Sequence, residues 1–304
     1  MALLVVGSVA YDGIETPSGR VDRVLGGAGS YIALAASHFA DVQLVAVVGD
    51  DFAPEDEAVL RRRNVDLRGL ARASGKTFYW KGAYSSDMNE RRTLVTELNV
   101  FADFDPQLPR AYRPAEQILL GNIHPSLQDS VLRQSDSPAF VAGDTMNYWI
   151  DRTPRELAAA VASWDLIMVN DEEAHMMTGS RNLRVAARRL QAMGPEAVVI
   201  KRGEYGAALF QGDDCFLSPG YPLRSLVDPT GAGDAFAGGF MGYLAGRRFG
   251  RGKPDGFADL RRAMVYGSIA GSVCCEDFGV AALRTLSRKA IERRFEEFRT
   301  MTSY

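Results

Sequence analysis

The nine residues Asp228-Pro229-Thr230-Gly231-Ala232-Gly233-Asp234-Ala235-Phe236 join a turn of small residues to a carboxylate at the start of a helical pattern. Gly231, Ala232 and Gly233 let backbone N–H groups converge on an anion without side-chain obstruction, and a helix N-terminus behind them attracts negative charge. Asp234 then stands where a hydroxyl attacking phosphorus needs a proton acceptor. An isolated G-x-G-D would equally be a loop with Asp234 as a helix cap. A second carboxylate, Asp12, follows the first apolar run and can accept from two neighbouring hydroxyls at once, which suits a vicinal diol. Asn170 and Glu173, three apart at the end of an apolar run, offer amide and carboxylate oxygens for Mg²⁺. Asn170 and Asp171 equally offer a cap for a helix beginning at Glu172, and Asp171 and Glu172 compete for the second metal role.

These residues need a frame. Continuous apolar runs at 3–6, 42–48, 117–120, 139–142, 166–169 and 197–200 read as strands buried on both faces. They alternate with helical patterns at 30–39, 54–63, 154–163, 183–193, 234–245 and 259–274. That rhythm predicts one α/β domain over 1–304, a doubly wound, mainly parallel central sheet with helices on both faces. Segments 12–25 and 77–104 break it with β-rich, aromatic sequence such as Thr77-Phe78-Tyr79-Trp80, and read as antiparallel strands leaving the main sheet.

Taken together, the motifs resemble the ribokinase/PfkB family of carbohydrate and nucleoside kinases. Asp228 to Asp234 is similar to its D-T-x-G-A-G-D signature, with Pro229 and Thr230 in the second and third places. Gly26-Gly27-Ala28-Gly29 resembles its N-terminal glycine signature, Asn170 to Glu173 its N-x-x-E motif, and Val199 to Gly206 its nucleotide-side strand and turn. The resemblance implies a ribokinase-like fold in which segments 12–25 and 77–104 form a small β lid, and ATP-dependent transfer of the γ-phosphoryl group to a sugar hydroxyl, with a nucleoside kinase of adenosine or cytidine type as alternative. It implies Asp234 as base and Gly231, Ala232 and Gly233 as anion hole. It assigns Asp12, Gly26 and Gly27 to the sugar, with Tyr31, Asn122 and Asn147 lining its pocket. Lys201, Gly203, Thr230 and Ala270 fall on the ATP side, and Asn170 with Glu173 supports Mg²⁺. Tyr31 stands where ribokinase has a sugar-contacting asparagine, so it either stacks on a substrate ring or faces the core. The family often binds K⁺ near Asp228, yet its usual basic residue is missing from Cys274 to Gly279. Asp144 and Asn147 faintly resemble a D-x-N segment of fructokinase relatives, and a turn role serves them as well.

Bulk properties narrow the remaining classes. With 46% hydrophobic residues and a net charge of −3, the 304-residue chain has a large core and no general attraction for nucleic acid or an anionic membrane. Three cysteines, two of them adjacent, make a poor disulfide framework and read as reduced. The first apolar run is too short for a signal peptide and no run approaches a membrane span, so the expected compartment is the cytoplasm. A dinucleotide dehydrogenase is disfavoured because no G-x-G-x-x-G follows the first run. A catalytically silent sugar- or nucleotide-binding relative is opposed by the intact Gly231, Gly233 and Asp234. The aromatic lid suggests a homodimer interface.

Overall fold

The computed structural model describes residues 2–250 and 256–303. The strands are β1 (Ala2–Val6), β2 (Ala10–Thr16), β3 (Gly19–Gly26), β4 (Asp41–Val48), β5 (Val65–Arg72), β6 (Phe78–Tyr84), β7 (Arg91–Glu97), β8 (Gln117–Leu120), β9 (Phe140–Asp144), β10 (Leu166–Asn170), β11 (Ala197–Lys201), β12 (Ala207–Gln211) and β13 (Asp214–Ser218). Nine of them form one sheet in the order β13-β12-β11-β10-β9-β8-β1-β4-β5. Every pairing from β5 across to β11 is parallel, and the last two strands return antiparallel. The apolar runs are thus fully buried parallel strands, as their lack of alternation requires.

Successive side chains of those runs serve opposite cores. Leu3, Val5, Leu44, Leu119, Met168 and Val199 face one layer, built from α1 (Ala28–Ala36), α2 (Pro54–Arg61), α8 (Ala232–Gly246), α9 (Gly256–Cys274), α10 (Ala281–Thr285) and α11 (Arg288–Thr302). Leu4, Val6, Val45, Ile118, Ile167 and Val198 face the other, built from α3 (Pro125–Gln134), α4 (Asn147–Arg152), α5 (Pro154–Val161), α6 (Asp171–Thr178) and α7 (Leu183–Gln191). In the first layer α8 is central: a Cβ at Gly238 or Gly242 would strike α1, and one at Gly239 would strike Tyr266 and Ala270 of α9. Its glycines allow the close approach that brings its N-terminus against the start of α1.

The lid is a separate four-stranded sheet in the order β3-β2-β6-β7. It corrects one expectation. The β2–β3 and β6–β7 pairs are antiparallel, but they join through a parallel β2–β6 seam, Ala10 opposite Phe78 to Glu15 opposite Ala83. The sequence suggests hairpins, because each hairpin is local. The seam joins segments some sixty-eight residues apart and is set by both hairpins leaving the main sheet in the same direction. The second lid segment also ends in a short 3₁₀ turn at Asn99–Asp103 rather than in strand.

Candidate active site

The site gathers beyond the carboxyl ends of the parallel strands, where open α/β sheets bind their ligands. At its floor Gly231 caps α8 with φ +74°, a left-handed conformation that glycine adopts without penalty. The Ala235 N–H donates to its carbonyl at 2.8 Å, so α8 starts directly from the turn. Gly231, Ala232, Gly233 and Asp234 keep partial access to the cleft while Ala235 and everything after it to Ala245, save Tyr243, is buried. Burial raises the Asp234 carboxyl above its ordinary value, and the charges of Lys201 and Arg91 oppose the rise.

Asp228 holds the turn from behind. Its carboxylate accepts the Thr230 N–H at 2.8 Å and the Gly279 N–H at 3.0 Å. The Thr230 carbonyl accepts the Cys274 thiol at 3.3 Å, and the Cys275 carbonyl accepts N–H groups of Val227 and Asp228. Both Asp228 carboxylate oxygens thus accept internal backbone donors. All three cysteines are free.

On the acceptor side Asp12 is 4% exposed, and burial together with the negative charge of Asp228 pushes its carboxyl up to about 7, against donors at Gly27 and Tyr31. Gly26 lies hard against the Asp12 carboxylate, with no room for a Cβ, and Gly27 caps α1 at φ +85° against Ser8 and Ala10. Tyr31 is 1% exposed, its hydroxyl donates to Asp12 Oδ2 at 3.3 Å, and Gly231 rests on its ring. Of the two readings open for Tyr31, the core-facing one holds, since no ring face is left for a substrate.

Lys201 ends β11 opposite Asn170 at the end of β10. Its Nζ lies within 3.2 Å of where a Gly233 Cβ would sit, so an ammonium borders the anion turn. Asn170 and Glu173 close a full capping box: Asn170 Oδ1 accepts the Glu173 N–H and Glu173 Oε2 accepts the Asn170 N–H, both at 2.7 Å. The box engages Asn170 Oδ1 and Glu173 Oε2 and leaves Glu173 Oε1 outside it; no cluster of three or more His, Cys, Asp or Glu side chains that could hold a metal ion occurs among the described residues. Gly203 sits at φ +53° with nothing within 4 Å of its Cβ direction.

Other expected residues stand apart from this cluster. Ala270 is 3% exposed and packs against Gly239 at the α8–α9 contact. Helical periodicity alone does not tell a helix's ligand face from its partner face. Asn122 is tied to its own wall, accepting from Trp149 Nε1 at 2.9 Å and donating to Met146 Sδ. Asn147 is exposed at the first turn of α4. His124 caps α3 by accepting the Ser126 N–H.

Three residues beyond the expected site set join it. Asp144, read in the sequence either as part of a D-x-N segment or as a turn residue, is 3% exposed with Oδ1 unpartnered. Burial and the charge of Asp234 hold its carboxyl well above its ordinary value, while Lys201 opposes them. Its position at the end of a buried strand is the signal that could have found it. Tyr84 and Arg91 face each other across the lid hairpin. The Tyr84 hydroxyl reaches Thr230 Oγ1 at 2.9 Å, and the charge of Arg91 bears on Asp234 and Glu173. Nothing local in the sequence marks either, since only the lid's pose over the cleft brings them in.

Known proteins resemble the chain in sequence and in fold. The description "pfkB family carbohydrate kinase" matches residues 2–286. A cytidine kinase of Thermococcus kodakarensis is 31% identical over 252 residues, 81% of this chain and 89% of that protein. The fold is shared with a Burkholderia thailandensis nucleoside kinase in complex with inosine, at TM-score 0.76 and 21% identity over 99% of both chains. It is shared too with a Salmonella enterica aminoimidazole riboside kinase complexed with its riboside and an ATP analogue, at TM-score 0.74 and 20% identity over 96% of this chain and 99% of that one. No described helix is long and apolar enough to cross a membrane.

Proposed function

Because the chain belongs to the pfkB family of carbohydrate kinases and is an ATP-dependent kinase of ribokinase type, we propose that it phosphorylates a hydroxyl on the ribose of a nucleoside. The observation that carries this reading is the pairing of two carboxylates across one cleft, the buried Asp12 for the sugar and Asp234 on the anion turn, whose charge bears on Asp12. Asp12 accepts from a vicinal diol and fixes the ring. Asp234 takes the proton of the attacking hydroxyl as its oxygen bonds to the γ-phosphorus and the bond to the β–γ bridging oxygen breaks, releasing ADP. The N–H groups of the Gly231 turn, the α8 dipole and Lys201 meet the negative charge of the transferred group. Asn170 and Glu173, acting through water, would hold Mg²⁺, which when bound neutralises nucleotide phosphate charge. Arg91 approaches from the lid side.

The nucleoside reading is favoured over the free sugar by the similarity to a cytidine kinase. Free sugar remains the second reading because the matched family is described by carbohydrate acceptors. ADP release with ATP and Mg²⁺ across nucleosides, pentoses, hexoses and sugar acids decides between them. Asp234→Asn should lower kcat by roughly a hundredfold to ten-thousandfold while leaving the fold intact; full retention of rate by that variant would remove Asp234 from the mechanism. We further propose that the exposed Leu94 and Leu98 at the lid edge bury against a second copy, a contact that sedimentation of a Leu94→Asp variant should disrupt.

A further inference from the structure

Tyr31 occupies an unusual position for a phenol. It lies in α1, fully buried, with one neighbour at each end of its function: its hydroxyl donates to Asp12 Oδ2 at 3.3 Å, and its ring backs Gly231, where a Cβ would come within 2.5 Å of three ring carbons. Asp12 belongs to the lid strand β2, and Gly231 to the turn that opens α8. The two share no direct hydrogen bond among those described, so Tyr31 is the solid link between acceptor side and phosphoryl side. A tyrosine ring is rigid, with two side-chain torsions, and transmits position in a way that a longer flexible side chain would not.

We propose that Tyr31 is a positioning residue that sets the Asp12 carboxylate and the Gly231 turn one ring-length apart, so that the acceptor hydroxyl arrives in line with the transferred phosphoryl group. The idea rests on the kinase reading above and adds to it a reason for tyrosine at this place. It also explains why Gly231 must lack a side chain beyond its backbone angle, since the ring fills the space beneath it. Burial and the surrounding acids keep the phenol protonated, so towards an ionised Asp12 it can only donate. The groups facing this pair are Asp228 on the loop before α8, Asp234 on α8, Cys274 on α9, Tyr84 on β6 and the Gly27 N–H.

Tyr31→Phe keeps the ring and removes the donor. The acceptor KM should rise about tenfold, the size expected for a hydrogen bond to a charged group, with the ATP KM unchanged. The acid limb of kcat/KM should move to higher pH, because the donor favours ionised Asp12. Tyr31→Leu removes the ring as well and should lower kcat at saturating acceptor. An arm independent of turnover uses melting: Asp12 is neutral at pH 5 and ionised at pH 8, so the gap in Tm between wild type and Tyr31→Phe should widen from pH 5 to pH 8. A constant gap with an unmoved acid limb, or equal rises in acceptor and ATP KM, would overturn the proposal. Should the wild type turn over no alcohol at all, the kinase reading fails instead, and the melting arm still decides whether Tyr31 holds the Asp12 anion.

Discussion

The hydroxyl of Tyr84 lies 2.9 Å from Thr230 Oγ1 and joins strand β6 of the lid to the turn that begins α8, across 146 residues of sequence. The lid is thereby fastened to the turn that opens α8. Burial pushes the Tyr84 phenol up to about 12, so it stays protonated throughout the working pH range. Thr16 and Ser18, at the β2–β3 turn, add two more ties, to the carbonyls of Val227 and Leu226.

Tyr84→Phe should therefore loosen the lid without unfolding it. One neutral hydrogen bond is worth about 0.5–1.5 kcal/mol, so the acceptor KM should rise roughly two- to tenfold. Steady-state kinetics with the acceptor varied at fixed ATP reads this directly, and an unchanged KM would mean that the contact does not hold the closed lid.

Gly231→Ala should damage both stability and rate. The substitution forces an L-residue into φ +74° and drives its Cβ to 2.5 Å from the Tyr31 ring. Backbone strain of this type costs about 1–3 kcal/mol before the clash is counted. Urea unfolding should show a lower midpoint, and kcat should fall as the anion-binding N–H groups shift.

Asn170 and Glu173 allow capping and metal support to be separated. Asn170→Ala removes the acceptor for the Glu173 N–H and should cost about 1 kcal/mol through the cap alone. Glu173→Gln keeps an oxygen for the Asn170 N–H but loses the charge. Its Tm should stay near that of wild type while the Mg²⁺ concentration for half-maximal activity rises several-fold. Equal Mg²⁺ demand in the two proteins would leave the pair as a cap.

Activity and stability should respond to pH in opposite senses near neutrality. Asp12 must be ionised to accept sugar hydroxyls, and burial raises it to about 7, so kcat/KM should fall by about tenfold per pH unit below that value. Asp234 is raised too, which steepens the limb. For stability, a carboxyl raised in the folded state contributes most when protonated, and that contribution is lost as pH rises through about 7. The protein should thus melt higher at pH 5.5 than at pH 8. Surface carboxyls lowered by arginines, such as Asp66 at about 2, act in the other sense only below pH 4. Asp12→Asn should flatten both trends.

The chain's own order of residues determined the strands of the parallel sheet, the α8 turn with Asp234, Asn170 as a cap candidate after β10, and the lid segments. Each is a local matter: a run of apolar side chains must be buried on both faces, and a turn of Gly231, Ala232 and Gly233 has few other conformational uses. Local pattern did not show β5 and β13, whose burial alternates or is partial, nor the short buried β12, nor which face of α9 carries Ala270. Tertiary structure alone decided that Tyr31 turns inward between Asp12 and Gly231, that β2 and β6 run parallel, and that Tyr84 and Arg91 arrive at the cleft. Those outcomes depend on contacts between segments tens to hundreds of residues apart. In such contacts the residue type fixes what a side chain can do, and the packing of other elements fixes what it meets.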